Sequence, residues 1–299
     1  MNDKGVWFLK GQIQKAVSGF YYVYANQQIY QTRARGNFRK RKITPLVGDQ
    51  VIFSSENERE GYLLEILPRK NQLTRPAVAN IDQAVVIISL VEPDFSYFLL
   101  DRFLVSLEYE DIQPIVYLSK ADLLEEHSLI AEIKTVYEPI YPVIVSDEIK
   151  LEEKFMALFE NKLTVFMGQS GAGKSTLLNT IAPHLNLTTA EISTALGRGK
   201  HTTRQVELLP IADGLVADTP GFSAIDFTEI TEVQLGKQFP EMLQASTDCY
   251  FRECLHLDEP KCEVKRQVKA GKIAKSRYED YCYFLSEIKK RKPRYKKKR

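Results

Sequence analysis

Val165-Phe-Met-Gly-Gln-Ser-Gly-Ala-Gly-Lys-Ser-Thr-Leu-Leu178 is the stretch on which the fold turns. Residues 168–175 fit the pattern G-x-x-x-x-G-K-[ST], with Gly168, Gly173, Lys174 and Ser175 in its defining positions. The apolar run 163–167 ahead of it has the length of a buried strand, and residues 176–181 behind it can open a helix. Strand, glycine-rich turn and helix N-terminus together make a phosphate cradle. Glycines let backbone N–H groups turn inward around phosphate oxygens, and the helix end adds partial positive charge. Lys174 is expected to reach the terminal phosphates and Ser175 to ligate Mg²⁺, with Gln169, Ser170, Gly171, Ala172 and Thr176 completing the loop. The stretch predicts a nucleoside triphosphate site.

Downstream, residues 215–218 form an apolar run ending in Asp218-Thr-Pro-Gly221. A carboxylate there suits Mg²⁺, usually through water, and the Gly221 N–H can meet the γ-phosphate. Alone this would be a weak turn motif; about forty residues after a phosphate loop it is a second nucleotide signature. A GTPase must also read the base. A carboxylate can accept from guanine N1–H and the exocyclic amine together, and adenine offers no such pair. The usual Asn-Lys-x-Asp element does not occur after Gly221. Its only candidate, Ser119-Lys120-Ala121-Asp122, lies upstream of the phosphate loop, followed by Ser146, which can begin a loop packing on the base. The base motif therefore precedes the phosphate motifs, an order that a circular permutation produces.

Between these motifs, apolar strands alternate with amphipathic helical stretches, the sign of a parallel α/β sheet. Residues 81–89, 115–118 and 143–145 read as strands. Residues 98–110 read as a helix with Leu99, Leu100, Phe103, Leu104 and Leu107 on one face, and residues 229–243 as another. Residues 1–70 differ. Short β-branched or aromatic runs at 21–24, 51–53 and 62–67 predict a small β-barrel of the oligonucleotide-binding (OB) type. Its basic run, residues 33–42, is expected on an exposed loop, where it would contact phosphates while Phe38 stacks on a base. A merely solvated loop is the alternative.

Near the C-terminus stands Cys249-x4-Cys254-x-His256-x5-Cys262. Three thiolates and an imidazole suit one tetrahedral Zn²⁺, closed and therefore structural. Little apolar sequence surrounds them, so the metal is expected to hold residues 245–299 together. Cys282 lies at core spacing on a probable helix, and His127 and His184 have no partner pattern.

These features give the chain a close resemblance, over essentially its full length, to the circularly permuted GTPases of the RsgA/YjeQ type, the small-subunit-dependent GTPases of bacterial ribosomes. The resemblance rests on residues 168–176, on Arg198-Gly-Lys-His-Thr-Thr203, on residues 218–221 and on the cysteine cluster. It implies three domains: an OB-type β-barrel (1–70), a circularly permuted α/β P-loop GTPase domain (71–224) and a zinc-binding helical domain with a basic tail (225–299). It also implies GTP hydrolysis to GDP in late maturation of the small ribosomal subunit, with binding to its rRNA and stimulation by it. Ser119 departs from the family's Asn, so a contact to the base or to the phosphate loop is expected to be shortened or lost. Phe222 stands where many GTPases carry a water-positioning glutamine. That leaves the 198–203 loop, with Thr202 or Thr203 closing on Mg²⁺ and the γ-phosphate and His201 orienting water, alongside Lys174.

Charge is segregated in a way that fits. Net charge is +2 overall, but +6 over residues 1–70, −16 over 71–264 and +12 over 265–299. Nine of the last eleven residues are Lys or Arg, which suits contact with a polyanion. The longest apolar run, 84–91, is too short to cross a membrane, the first residues lack the apolar core of a signal peptide, and four cysteines make no disulfide framework. A cytoplasmic monomer is expected. Two other classes stay open: an ATP-using P-loop enzyme, against which Asp122 argues, and an RNA-binding assembly factor in which the nucleotide is only a switch.

Overall fold

A computed structural model describes residues 7–41, 43–74, 76–126, 128–183, 206–218, 227 and 229–291. The N-terminal part is a five-stranded barrel of β1 (Trp7–Val17), β2 (Phe20–Ala25), β3 (Gln28–Ala34), β4 (Gln50–Ser55) and β5 (Gly61–Ile66). The strands run in the order β1-β2-β3-β5-β4, and β4 returns to pair with β1. β3 and β5 are parallel and every other barrel pair is antiparallel, an oligonucleotide-binding-type closure. Ile13, Val23, Tyr30, Val51, Phe53 and Leu63 fill its interior.

Two expectations change here. The basic run 33–42 is not wholly loop, because a short helix, α1 (Gly36–Lys40), forms inside it. Phe38 is buried in the core at 8% exposure, so its ring anchors that helix and is withheld from any base.

A small hairpin, β6 (Gln72–Thr74) with β7 (Ala77–Ala79), leads into the α/β part. Its sheet runs β10 (Val143–Val145), β9 (Gln113–Ser119), β8 (Gln83–Ser89), β11 (Leu163–Gly168), β13 (Gly214–Asp218), β12 (Glu207–Ile211), and only β12 is antiparallel to its neighbour. Every residue of β8 is buried, as in a parallel strand covered on both faces. α2 (Tyr97–Tyr109), α3 (Ser128–Tyr137), α4 (Leu151–Phe159) and α5 (Lys174–Ile181) cover the sheet. Ser96 caps α2 by accepting from the Leu99 N–H at 3.2 Å, and Leu100, Phe103, Leu104 and Leu107 turn to the core. The barrel joins this sheet edge to edge, where Lys15 of β1 pairs with Glu207 of β12 and their side chains meet at 2.6 Å.

The C-terminal helices are α6 (Glu232–Leu235), α7 (Pro240–Ser246), α8 (Glu263–Lys269) and α9 (Lys275–Lys289). The continuous helix read over 229–243 is interrupted. A capping box of Thr231 and Gln234 starts α6, a 3-10 turn follows, and Pro240 opens a separate helix. α9 buries Tyr281, Phe284, Leu285 and Ile288 and lies against α2 and α6. Among the described residues no helix is long and apolar enough to cross a membrane.

Candidate functional site: a nucleotide site at the sheet's carboxyl edge

The carboxyl ends of parallel strands open onto a crevice where α/β proteins bind ligands. Four of the predicted elements end there: the phosphate loop after β11, residues 119–122 after β9, Ser146 after β10 and Asp218 at the end of β13. In the phosphate loop the glycines are required by the geometry. Gly168 has φ +155°, and a Cβ on it would stand 2.4 Å from the Ile87 carbonyl of neighbouring β8. Gly173 has φ +95° and caps α5, whose first residues are Lys174 and Ser175. The loop is closed by Ala172 N–H donating to the Gln169 carbonyl at 3.2 Å. Lys174 and Ser175 are half-buried, and Ser170, Gly171 and Thr176 are exposed. A helix N-terminus bearing a lysine beside this turn fits a polyphosphate, and the Ser175 hydroxyl is a hard oxygen donor of the kind Mg²⁺ takes.

The base motif is locked to that loop. Ser119 donates its hydroxyl to the Ala172 carbonyl at 2.5 Å and approaches the Ile88 carbonyl at 3.3 Å. The contact to the phosphate loop that a serine was expected to lose is therefore kept. It survives because the strand end lies close: a Cβ on Gly173 would reach Ser119 Cβ at 3.4 Å. Lys120 sits in a left-handed turn, φ +59°, with its ammonium on the Glu92 carbonyl, and this aims the following residues outward. The Ala121 N–H donates to Ser146 Oγ at 3.0 Å, so the β9 and β10 loops form one wall. Asp122 is exposed on that wall. Tyr117, deeper in β9, is held up at about 12 by burial and then by the charges of Asp122 and Asp147.

Asp218 closes β13, with the preceding Ala217 in register with Val165 of β11. Gly221, Phe222 and the whole 198–203 loop, with His201, Thr202 and Thr203, lie outside the described residues, as do His127 and His184.

The cysteine cluster forms a second site. Cys249, Cys254, His256 and Cys262 bring one ligand atom each to within 4.8 Å of one another. Cys249 Sγ lies 3.7 Å from His256 Nδ1 and 3.9 Å from Cys262 Sγ, and His256 Nδ1 lies 3.4 Å from Cys262 Sγ. Bond lengths of about 2.3 Å to sulfur and 2.0 Å to nitrogen give tetrahedral edges of about 3.8 and 3.5 Å, so the donor set fits Zn²⁺. Burial lowers the His256 pKa, which keeps the ring in its neutral, ligating form. Burial also pushes the Cys254 thiol up to about 12, so a cation must displace its proton on binding.

The expected scarcity of apolar cover does not hold. His256 and Cys262 are buried, and the Tyr278 and Tyr281 hydroxyls donate to the His256 and Leu255 carbonyls at 2.6 and 2.7 Å. Tyr278 and Tyr281 come from α9, over twenty residues downstream, which is why the ligand loop read alone looked bare. Cys282 stands apart from the cluster, half-buried on α9.

One group the sequence did not flag lies between the α/β part and the C-terminal helices. Arg277 of α9 is 0% exposed, with Nη1 on Asp101 Oδ1 of α2 at 2.8 Å, and Nε and Nη2 on Glu241 of α7 at 2.8 and 3.0 Å. The Tyr137 hydroxyl of α3 donates to the same Asp101 oxygen at 2.6 Å. Asp101 and Arg277 are 176 residues apart, so spacing carries no trace of the pair.

A P-loop at the carboxyl edge of a parallel sheet, tied to a guanine-type motif that precedes it in the chain, defines a circularly permuted GTPase. The profile of the RsgA GTPase family matches residues 66–228, and that of the RsgA N-terminal domain residues 10–63. The chain is 64% identical over 294 residues to the small ribosomal subunit biogenesis GTPase RsgA of Enterococcus faecalis, covering 97% of this chain and 99% of that one. It is 51% identical to the protein of the same name from Bacillus subtilis, covering 96% and 99%. The crystal structure of YloQ, described as a circularly permuted GTPase, matches with a TM-score of 0.82 at 45% identity, over 99% of this chain and 100% of that one. YjeQ from Thermotoga maritima matches with a TM-score of 0.83 at 31% identity, over 96% and 100%. This chain belongs to the RsgA GTPase family.

Proposed function

We propose that the chain hydrolyses GTP to GDP and phosphate in late maturation of the small ribosomal subunit, stimulated by that subunit and in contact with its rRNA. The observation that carries the reading is the Ser119–Ala172 link, which sets a guanine-reading wall and a phosphate cradle against one crevice. Names given to relatives such as the Enterococcus faecalis protein support the ribosomal part.

In this reading Lys120, Ala121, Asp122 and Ser146 receive guanine, with Asp122 accepting from its N1–H and amine, and Ser119 fixes that wall to the phosphate loop. Residues 168–176 hold the phosphates, with Lys174 on the terminal ones, and Gly221 donates its N–H to the γ-phosphate. Ser175 and Asp218 hold Mg²⁺, which neutralises charge on the phosphate oxygens when bound. His201 orients the attacking water and Thr203 closes over the γ-phosphate once the ribosome orders their loop. Cys249, Cys254, His256 and Cys262 hold one structural Zn²⁺. Domain boundaries at 70/71 and 224/225 separate barrel, GTPase and zinc-binding parts. The 33–42 segment and the C-terminal tail contact rRNA, and the protein works as a cytoplasmic monomer without a membrane partner.

GTP turnover measured with small subunits, large subunits and neither tests this. Strong stimulation by small subunits alone is expected, lost in His201→Ala with GTP affinity preserved. Equal turnover in all three conditions refutes the ribosomal reading, and ATP competing as well as GTP refutes the base assignment.

A further inference from the structure

The register of the barrel aligns three side chains that the sequence scatters. Phe20 of β2 pairs with Arg33 of β3, and Arg33 pairs in turn with Tyr62 of β5. Residues opposite each other in a sheet share a face. Here that face is the outer one, because Thr32 and Leu63, one step along, point into the barrel at 1% and 0% exposure. The result is an aromatic–arginine–aromatic row across three neighbouring strands. The Arg33 guanidinium lies 4.4 Å over the Phe20 ring, and that of Arg35 lies 6.0 Å from the Tyr62 ring, which is 51% exposed.

The row lines a cleft of about 650 Å³, closed on one side by the loop between β4 and β5 that carries Arg59. That loop is built and held. Asn57 Oδ1 accepts from the Arg59 and Glu60 N–H groups at 2.8 and 3.0 Å, and the Gln31 N–H donates to the Glu58 carbonyl at 2.8 Å. Among the described residues, none of the Arg33, Arg35 and Arg59 guanidinium groups is paired with a carboxylate. Glu56 and Glu60 line the same cleft, which leaves its charge at only about +1. A bare phosphate backbone gains little from so small a charge. An unpaired nucleotide gains on both counts, since its base can stack on an exposed ring while its phosphates meet guanidinium groups.

We propose that this cleft receives an unpaired nucleotide of single-stranded RNA, with the base stacked on Tyr62 and the flanking phosphates held by Arg33, Arg35 and Arg59. The inference deepens the rRNA contact proposed above and moves it off the 33–42 loop, whose Phe38 is buried, onto the barrel wall.

Fluorescence anisotropy of a labelled, mixed-sequence six-nucleotide RNA with the full chain tests it. Tyr62→Ala is expected to weaken binding roughly 5- to 100-fold, the usual range for removing one stacking ring. Tyr62→Phe, which keeps the ring, binds as the parent does. Arg59→Gln lowers the slope of log affinity against log salt by about 0.7, one phosphate contact on a single strand. Binding of Tyr62→Ala within twofold of the parent overturns the proposal, as does equal competition by a duplex of the same sequence or failure of the parent to bind the hexamer. GTP turnover with small subunits, read on the same proteins, separates the two claims. Stimulation without hexamer binding sinks the cleft alone, and hexamer binding without stimulation sinks the ribosomal function alone.

Discussion

Arg277→Met tests what joins the zinc-bearing helices to the GTPase. The substitution keeps most of the side chain's length and its apolar contact with Phe239, whose ring centre lies 4.8 Å from the guanidinium. It removes the charge that three hydrogen bonds to Asp101 and Glu241 share. Asp101 is 0% exposed and is left with only the Tyr137 hydroxyl as a donor, while Glu241, 14% exposed at its side chain, loses both contacts. Breaking a buried pair from one side costs about 3–5 kcal/mol, because the remaining charge stays desolvated. At about 2–4 °C per kcal/mol for a chain of this order of size, the transition reporting the α9–α2 junction should fall by roughly 6–20 °C. Scanning calorimetry reads this, and unstimulated GTP turnover below the transition is expected to be unchanged. The triple variant Arg277→Met, Asp101→Asn, Glu241→Gln removes the stranded charges and is expected to recover most of the loss. A fall under 2 °C for the single variant, or no recovery in the triple, refutes the argument that uncompensated burial holds this junction.

Asp280 hydrogen-bonds Asp101, and burial followed by the Asp101 charge raises its pKa from 3.8 to about 7. Because the folded pKa is the higher, the contribution is fully present below about pH 4 and is lost as pH rises through about 7. Asp280→Asn should therefore gain in melting temperature over the parent between pH 5 and 8, and parallel pH profiles would contradict the shared proton. Ser119→Ala leaves the buried Ala172 carbonyl without its donor and is expected to weaken GTP binding roughly 5- to 30-fold, from about 1–2 kcal/mol, by calorimetric titration. Asp122→Asn should turn preference toward xanthosine triphosphate, and undiminished GTP affinity in that variant would displace the base site. Cys254→Ala should lose zinc by elemental analysis and lower the melting of the C-terminal helices, with GTP affinity retained.

Residues that act through their immediate neighbours were legible without coordinates. The phosphate loop is read from glycines at fixed offsets because a few consecutive N–H groups must face one anion, and no distant residue changes that need. The zinc ligands are read because thiols and an imidazole within fourteen residues can close on one ion. The parallel sheet follows from apolar runs such as β8, buried on both faces. Contacts between remote segments were not legible. Phe38 reads as an exposed aromatic among arginines, and only the closed barrel shows that it is interior. Ser119 reads as a weakened base motif, and only the approach of β9 to the phosphate loop shows its hydroxyl on Ala172. Phe20, Arg33 and Tyr62 become one row through strand register, where a slip of one residue would turn each side chain to the other face. Arg277 finds Asp101 only when two domains pack. Local backbone geometry is written in local sequence, whereas register and packing are set by the burial of whole strands and helices, which no single stretch contains.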